Sequence, residues 1–140
     1  TALPVEASNR RFYRVHRVHR VGAVTTERAP ASWILMTSPP ALERNTQFVE
    51  LARVFGRRGI GVPAILAEEP DAGWFVLEDL GTRHLADVYP TPERDAALAG
   101  ALDTLLALQT VDDPAIEPYT RERFADELGI FRTWFAEGLL

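Results

Sequence analysis

A chain of 140 residues with 46% hydrophobic and 25% charged residues can bury one real core, and its formal charge of −5 argues against a general nucleic-acid binder. No apolar run approaches the length of a bilayer, no signal-peptide pattern opens the chain, and zero cysteines exclude a disulfide framework and thiolate metal sites; a cytoplasmic protein is expected. All 15 basic residues are arginine, so no Walker-A, Schiff-base or kinase strand lysine lies within it.

Residues Arg10 to Val21 alternate at period 2 as far as Val15 and predict a strand, with a bulge or turn near His19 where Val18 and Val21 leave the register. Its five arginines and two histidines suit the solvated sides of an edge hairpin better than an anion patch. After a loop over Thr25 to Ala31, Ser32 to Thr37 predict a second strand, stopped by Ser38-Pro39-Pro40. A helix follows, N-capped by Asn45 or Thr46, with Phe48, Leu51, Ala52 and Phe55 as its apolar stripe and Gly56 or Gly59 at its end.

Ala64 to Glu68 and Trp74 to Glu78 predict a strand pair joined by the turn residues Glu69 to Gly73. Four apolar residues in a row, Trp74 to Leu77, predict burial on both faces. Beyond Gly81 the period changes: a short helix at Leu85 to Tyr89, then one capped by Thr91 with Leu98, Ala101, Leu102, Leu105 and Leu108. Thr120 caps a last helix whose stripe is Phe124, Leu128, Phe131 and Phe135. The order is strands, helix, strands, then helices only.

Little points to side-chain chemistry. His16, His19 and His84, without cysteine or His-Glu-x-x-His spacing, read as surface histidines rather than metal ligands. Glu78 and Asp79 are adjacent on a strand end and point to opposite faces, so they do not make one acid/base pair. The backbone at that strand end, with Gly81 permitting a sharp turn, is the better candidate for holding a ligand. Ala7-Ser8-Asn9 reads as a phosphate loop or as an ordinary strand-leading turn, and Glu50 as a cation-orienting group or an exposed helix glutamate.

In this order, four motifs resemble the aminoglycoside phosphotransferase and choline-kinase-like superfamily, and within it the bacterial anomeric N-acetylmuramate/N-acetylglucosamine kinases. They are Glu6 to Arg14 (like Gly-Asp-Ala-Ser-x-Arg-Arg-Tyr-Phe-Arg with its first glycine at Val5), Ile34 to Pro40 (like Ile-Leu-Met-Asp-Ala-Pro-Pro), Gly61 to Ile65, and Leu77 to Gly81. Phe131 to Phe135 resembles the helix ahead of that group's catalytic part. The departures are Val5 for glycine, Glu6 for aspartate, Thr37 for aspartate, and the absent lysine.

The resemblance implies an α+β protein-kinase-like N-lobe: a small antiparallel sheet of about five strands plus one helix, with its hinge, over 1–81. Residues 82–140 then begin a helical C-lobe. It implies ATP held by Ala7, Ser8, Asn9, Arg11, Arg14 and Met36 and by the hinge at Glu78, Asp79 and Leu80. Arg11 or Arg14 would stand in for the missing lysine. It implies a small hydroxyl acceptor such as an amino sugar, no nucleic-acid or membrane partner, and Mg ligands and a catalytic base beyond Leu140. No His-x-Asp-x-x-x-x-Asn loop occurs in these residues. A non-catalytic kinase-like module is the alternative, and an anion- or RNA-binding role for Arg10 to Arg20 a third.

Overall fold

Pro39 and Pro40 end one strand and the turn at Gly73 begins another, and these two strands pair as the centre of a sheet. The computed structural model describes residues 1–4, 8–17 and 32–139. In chain order it contains β1 (Arg11–His16), β2 (Ser32–Thr37), α1 (Asn45–Arg57), β3 (Ile65–Glu69), β4 (Trp74–Glu78), α2 (Leu85–Val88), α3 (Arg94–Gln109) and α4 (Arg121–Phe131). A π-helical stretch, Arg132–Ala136, follows. The sheet is antiparallel in the order β1-β2-β4-β3. Thr1–Leu3 extend its β1 edge: the Leu3 N–H donates to Phe12 O at 2.9 Å and the Arg14 N–H to Thr1 O at 2.8 Å. Four regular strands and this edge segment match the expected small sheet; Val18 to Val21 and the expected Thr25 to Ala31 loop lie outside the described residues.

Register explains the core. Phe12, Met36 and Phe75 stand opposite one another on neighbouring strands, as do Arg14, Ile34 and Leu77. Ile34, Met36, Phe75 and Leu77 are buried with Val49 of α1, and the Phe48 ring meets Phe75 edge-on at 5.4 Å. Burying such a face is the main favourable term in this half of the molecule. The other face stays partly open, with Trp74 exposed and Val76 half-buried. The expectation that Trp74 to Leu77 is buried on both faces is therefore corrected: α1 covers one side only.

Two details of α1 differ from expectation. Asn45 is its first helical residue rather than its cap. Its amide instead donates to Ser38 O at 2.9 Å and Pro70 O at 3.0 Å, leaving no side-chain cap at Arg44. The deepest apolar positions are Val49 and Val54, while Phe48, Leu51, Ala52 and Phe55 are half-buried. Strand β3 begins one residue later than predicted and bulges between Ile65 and Ala67.

Of the two caps expected in the helical part, one forms. Glu93 rather than Thr91 is the N-cap of α3, with no side-chain bond, and the Thr91 hydroxyl accepts the Glu93 N–H at 3.3 Å in the turn ahead of it, so Pro92 lies before the helix. The Thr120 hydroxyl accepts the Arg123 N–H at 3.2 Å at the start of α4. Packing is another matter. Apolar residues surround α3 on every side, the pattern of a helix enclosed by others, yet no residue of α3 or α4 is buried. Leu102, Leu105, Leu106, Phe124, Leu128 and Phe131 are all exposed. Polar contacts link this part to the two ends of α1: Arg44 pairs with Glu117, and the Arg58 guanidinium reaches Asp112 O at 3.5 Å.

Candidate functional site

Strand β1 carries Arg10, Phe12 and Arg14 on the face that meets α1, because successive side chains alternate. Each arginine fastens one end of the sheet. Arg10 lies over the Phe48 ring at 4.9 Å, donates to Ser38 Oγ at 3.3 Å and stands 3.4 Å from Glu43. Ser38 in turn bonds Asn45, so the end of β2, the start of α1 and the β3–β4 turn form one polar knot. Arg14 does the equivalent work at the strand end where β4 runs into Asp79. Its Nε donates to Asp79 Oδ2 at 2.6 Å, and its Nη2 donates to Asp79 Oδ1 at 3.0 Å and to Gly81 O at 2.8 Å.

Asp79 is the centre of that second knot. Besides the guanidinium it accepts the Ser32 hydroxyl at 2.7 Å and the Gly81 N–H at 2.9 Å, while its side chain keeps 6% of its exposure. The fork of Arg14, then the Ser32 hydroxyl and the Gly81 amide, hold the carboxyl far below its ordinary value of 3.8. The native state therefore takes up this proton less readily than the unfolded chain. Stability from Asp79 is complete above about pH 5 and is lost progressively as pH falls from the ordinary carboxylate value down to the much lower native one. In acid titrations followed by circular dichroism, Asp79→Asn is expected to flatten this part of the unfolding profile; an unchanged profile would contradict the assignment.

Gly81, at φ +92°, adopts the left-handed conformation that the sharp turn needs. Leu80, between the two pinned residues, is the outermost point of the turn: its side chain is exposed, and among the described residues its N–H donates to no acceptor. Glu78 points the other way, as its neighbour's alternation requires, and its Oε2 accepts the Ala64 N–H at 3.1 Å.

The remaining expected residues are spread out. Met36 is 1% exposed within the core, covered by Phe75 and Val49, and presents no surface to a ligand. Arg11 lies on the opposite face of β1 from Arg14 and donates to the carbonyls of Ser8 at 3.1 Å and Arg10 at 2.9 Å. Arg14, expected as a stand-in for the missing lysine, has its charge matched by Asp79 instead. Ser8 Oγ accepts the Arg10 N–H at 3.3 Å, and the Asn9 N–H donates to Glu43 Oε1 at 3.0 Å. Ala7 lies outside the described residues. Glu50 is exposed beside the start of α1. Arg10, Ser32, Ser38, Glu43 and Asn45 were not singled out from sequence as parts of these knots; the period-2 spacing of Arg10 with Arg14 was the one available signal.

Among the described residues no group of three or more His, Cys, Asp or Glu side chains converges as a metal site. No helix among them is long and apolar enough to cross a membrane.

This order of elements, with a pinned turn at the end of β4, agrees with the comparison to known proteins: residues 1–139 match the phosphotransferase enzyme family. The chain belongs to the phosphotransferase enzyme family. Among curated relatives, the N-acetylmuramate/N-acetylglucosamine kinase of Pseudomonas aeruginosa is 32% identical over 131 residues, covering 93% of this chain and 36% of that protein. The enzyme of the same name from Pseudomonas putida is 28% identical over 136 residues, covering 96% and 37%. That of Neisseria meningitidis is 29% identical over 111 residues, covering 75% and 32%. This phosphotransferase-family chain thus spans about a third of the length of these relatives.

Proposed function

We propose that residues 1–81 are the nucleotide-binding lobe, and 82–140 the opening helices of the second lobe, of an ATP-dependent kinase acting on a small hydroxyl acceptor. By likeness to the named N-acetylmuramate/N-acetylglucosamine kinases, that acceptor is an amino sugar, and the motif resemblance points to its anomeric hydroxyl. The observation that carries this reading is the turn after β4. Its flanking residues are fixed by hydrogen bonds while Leu80 between them is exposed and its N–H has no acceptor among the described residues, which suits pairing with the edge of an adenine. The phosphates would lie towards Ser8 and Asn9. Magnesium and the catalytic base are assigned to the portion of the relatives' length that this chain does not cover, since the described residues assemble neither.

One observation favours a second reading, a kinase-like module without catalytic function. The Asn9 N–H, a candidate phosphate donor, is already satisfied by the Glu43 carboxylate. Thermal unfolding with and without millimolar ATP separates the two. A ligand at about a hundred times its dissociation constant adds about 2.7 kcal/mol to stability, an upward shift of several degrees. Such a shift with ATP is the expected outcome. No shift would remove the nucleotide site and leave the module.

A further inference from the structure

We propose that Arg14 is a positioning residue of the nucleotide site: its guanidinium fork fixes the Asp79–Gly81 turn and so aims the Leu80 N–H at the bound base. This rests on the nucleotide reading above. Both ends of the turn are held by the same side chain. Two nitrogens of Arg14 grip the Asp79 carboxylate, and one of them also takes the Gly81 carbonyl. The same carboxylate accepts the Gly81 N–H and the Ser32 hydroxyl. Around Leu80, then, the neighbouring polar groups have partners from β1, β2 and the turn itself. A change in the backbone after Leu80 would break the Gly81 N–H bond to Asp79 and move the Gly81 carbonyl off Arg14.

A lysine could not replace the arginine, because a single ammonium on a flexible stem lacks the planar fork that spans a carboxylate and a carbonyl together. The arrangement also assigns Arg14 a different task from phosphate binding. Its charge is matched inside the protein, and its side chain keeps 16% of its exposure.

The two tasks predict different losses, measurable by calorimetric titration of the 140-residue chain with ATP and, separately, with inorganic tripolyphosphate, which has phosphates but no base. Arg14→Met and Arg14→Lys are each expected to weaken ATP binding about tenfold, the scale of one misdirected hydrogen bond, and to leave tripolyphosphate binding unchanged. Asp79→Asn should do the same, and the Arg14→Met/Asp79→Asn pair should be no worse than either single change. In parallel, amide hydrogen exchange at Gly81, whose N–H is bonded to Asp79, should accelerate in both Arg14 variants while core amides at Met36 and Phe75 stay protected.

Equal loss of ATP and tripolyphosphate would make Arg14 a phosphate ligand and overturn the proposal. So would unchanged ATP affinity in a folded variant, or unchanged exchange at Gly81. Absence of ATP binding by the unaltered chain overturns the nucleotide reading itself, and the positioning role with it, while the exchange result still decides whether Arg14 holds the turn.

Discussion

Replacing Phe75 by alanine is expected to remove about 3–5 kcal/mol of stability, the usual cost of emptying a large aromatic position in a core. Phe75 is 0% exposed on one of the two inner strands, opposite Met36, with the Phe48 ring edge-on at 5.4 Å. Strands β2 and β4 are both hydrogen-bonded on each side, so the backbone has little freedom to collapse into the space. Because domains of this size are stable by only about 5–15 kcal/mol, the variant should lose a large part of its margin and melt roughly 10 °C or more below the parent. Trp74→Ala, one residue earlier on the open face with the ring 40% exposed, should cost distinctly less. Urea unfolding of the two variants measures the difference; equal losses would mean that the open face is covered as well as the other.

Gly73→Ala should be nearly as damaging, for a reason that packing volume does not capture. Gly73 has φ +73°, and a Cβ there would lie 2.3 Å from Ser38 O and 2.9 Å from the Pro40 ring. The obstacle is main chain, and it cannot swing away, because the Ser38 N–H donates to Gly73 O at 2.7 Å. Gly59 supplies the control: its φ is +74°, with nothing within 4 Å of an added Cβ. Gly59→Ala therefore reports the left-handed backbone cost alone, of order 1 kcal/mol. Gly73→Ala adds the steric conflict and is expected to exceed it by at least about 2 kcal/mol. Comparable melting temperatures for the two variants would show that the β3–β4 turn yields more easily than its contacts suggest.

Local signals in the sequence were legible where local physics decides the outcome. Thr120 caps because its hydroxyl reaches an amide three residues on, and Ser38-Pro39-Pro40 ends β2 because proline cannot donate to a ladder. The sharp turn after β4 was readable because a glycine follows the strand end, and Gly81 takes φ +92° there. What could not be read is what spans the chain. Arg14 and Asp79 are 65 residues apart, and nothing in either neighbourhood says that the arginine's partner is a carboxylate rather than a phosphate. Asn45 looked like a cap because asparagine favours that place, but Ser38 and Pro70 offered its amide two carbonyls that only the folded sheet brings near. Periodicity likewise marked the apolar stripe of α4 without saying that nothing here covers it.

Strand order has a consequence for the sequence of events in folding. The β3–β4 hairpin closes across a few residues, whereas β2 must find β4 across the whole of α1, pairing Trp33 with Glu78. Loop closure makes the first step cheap and the second slow. By the same reasoning β1 and β2, which are closer in sequence than β2 and β4, are expected to pair with each other first and then to join the β3–β4 hairpin together, bringing α1 over Phe75. Arg14 can reach Asp79 only after that last step. The turn beside Leu80 is thus among the final features to set, held by a contact that the rest of the sheet does not need in order to form.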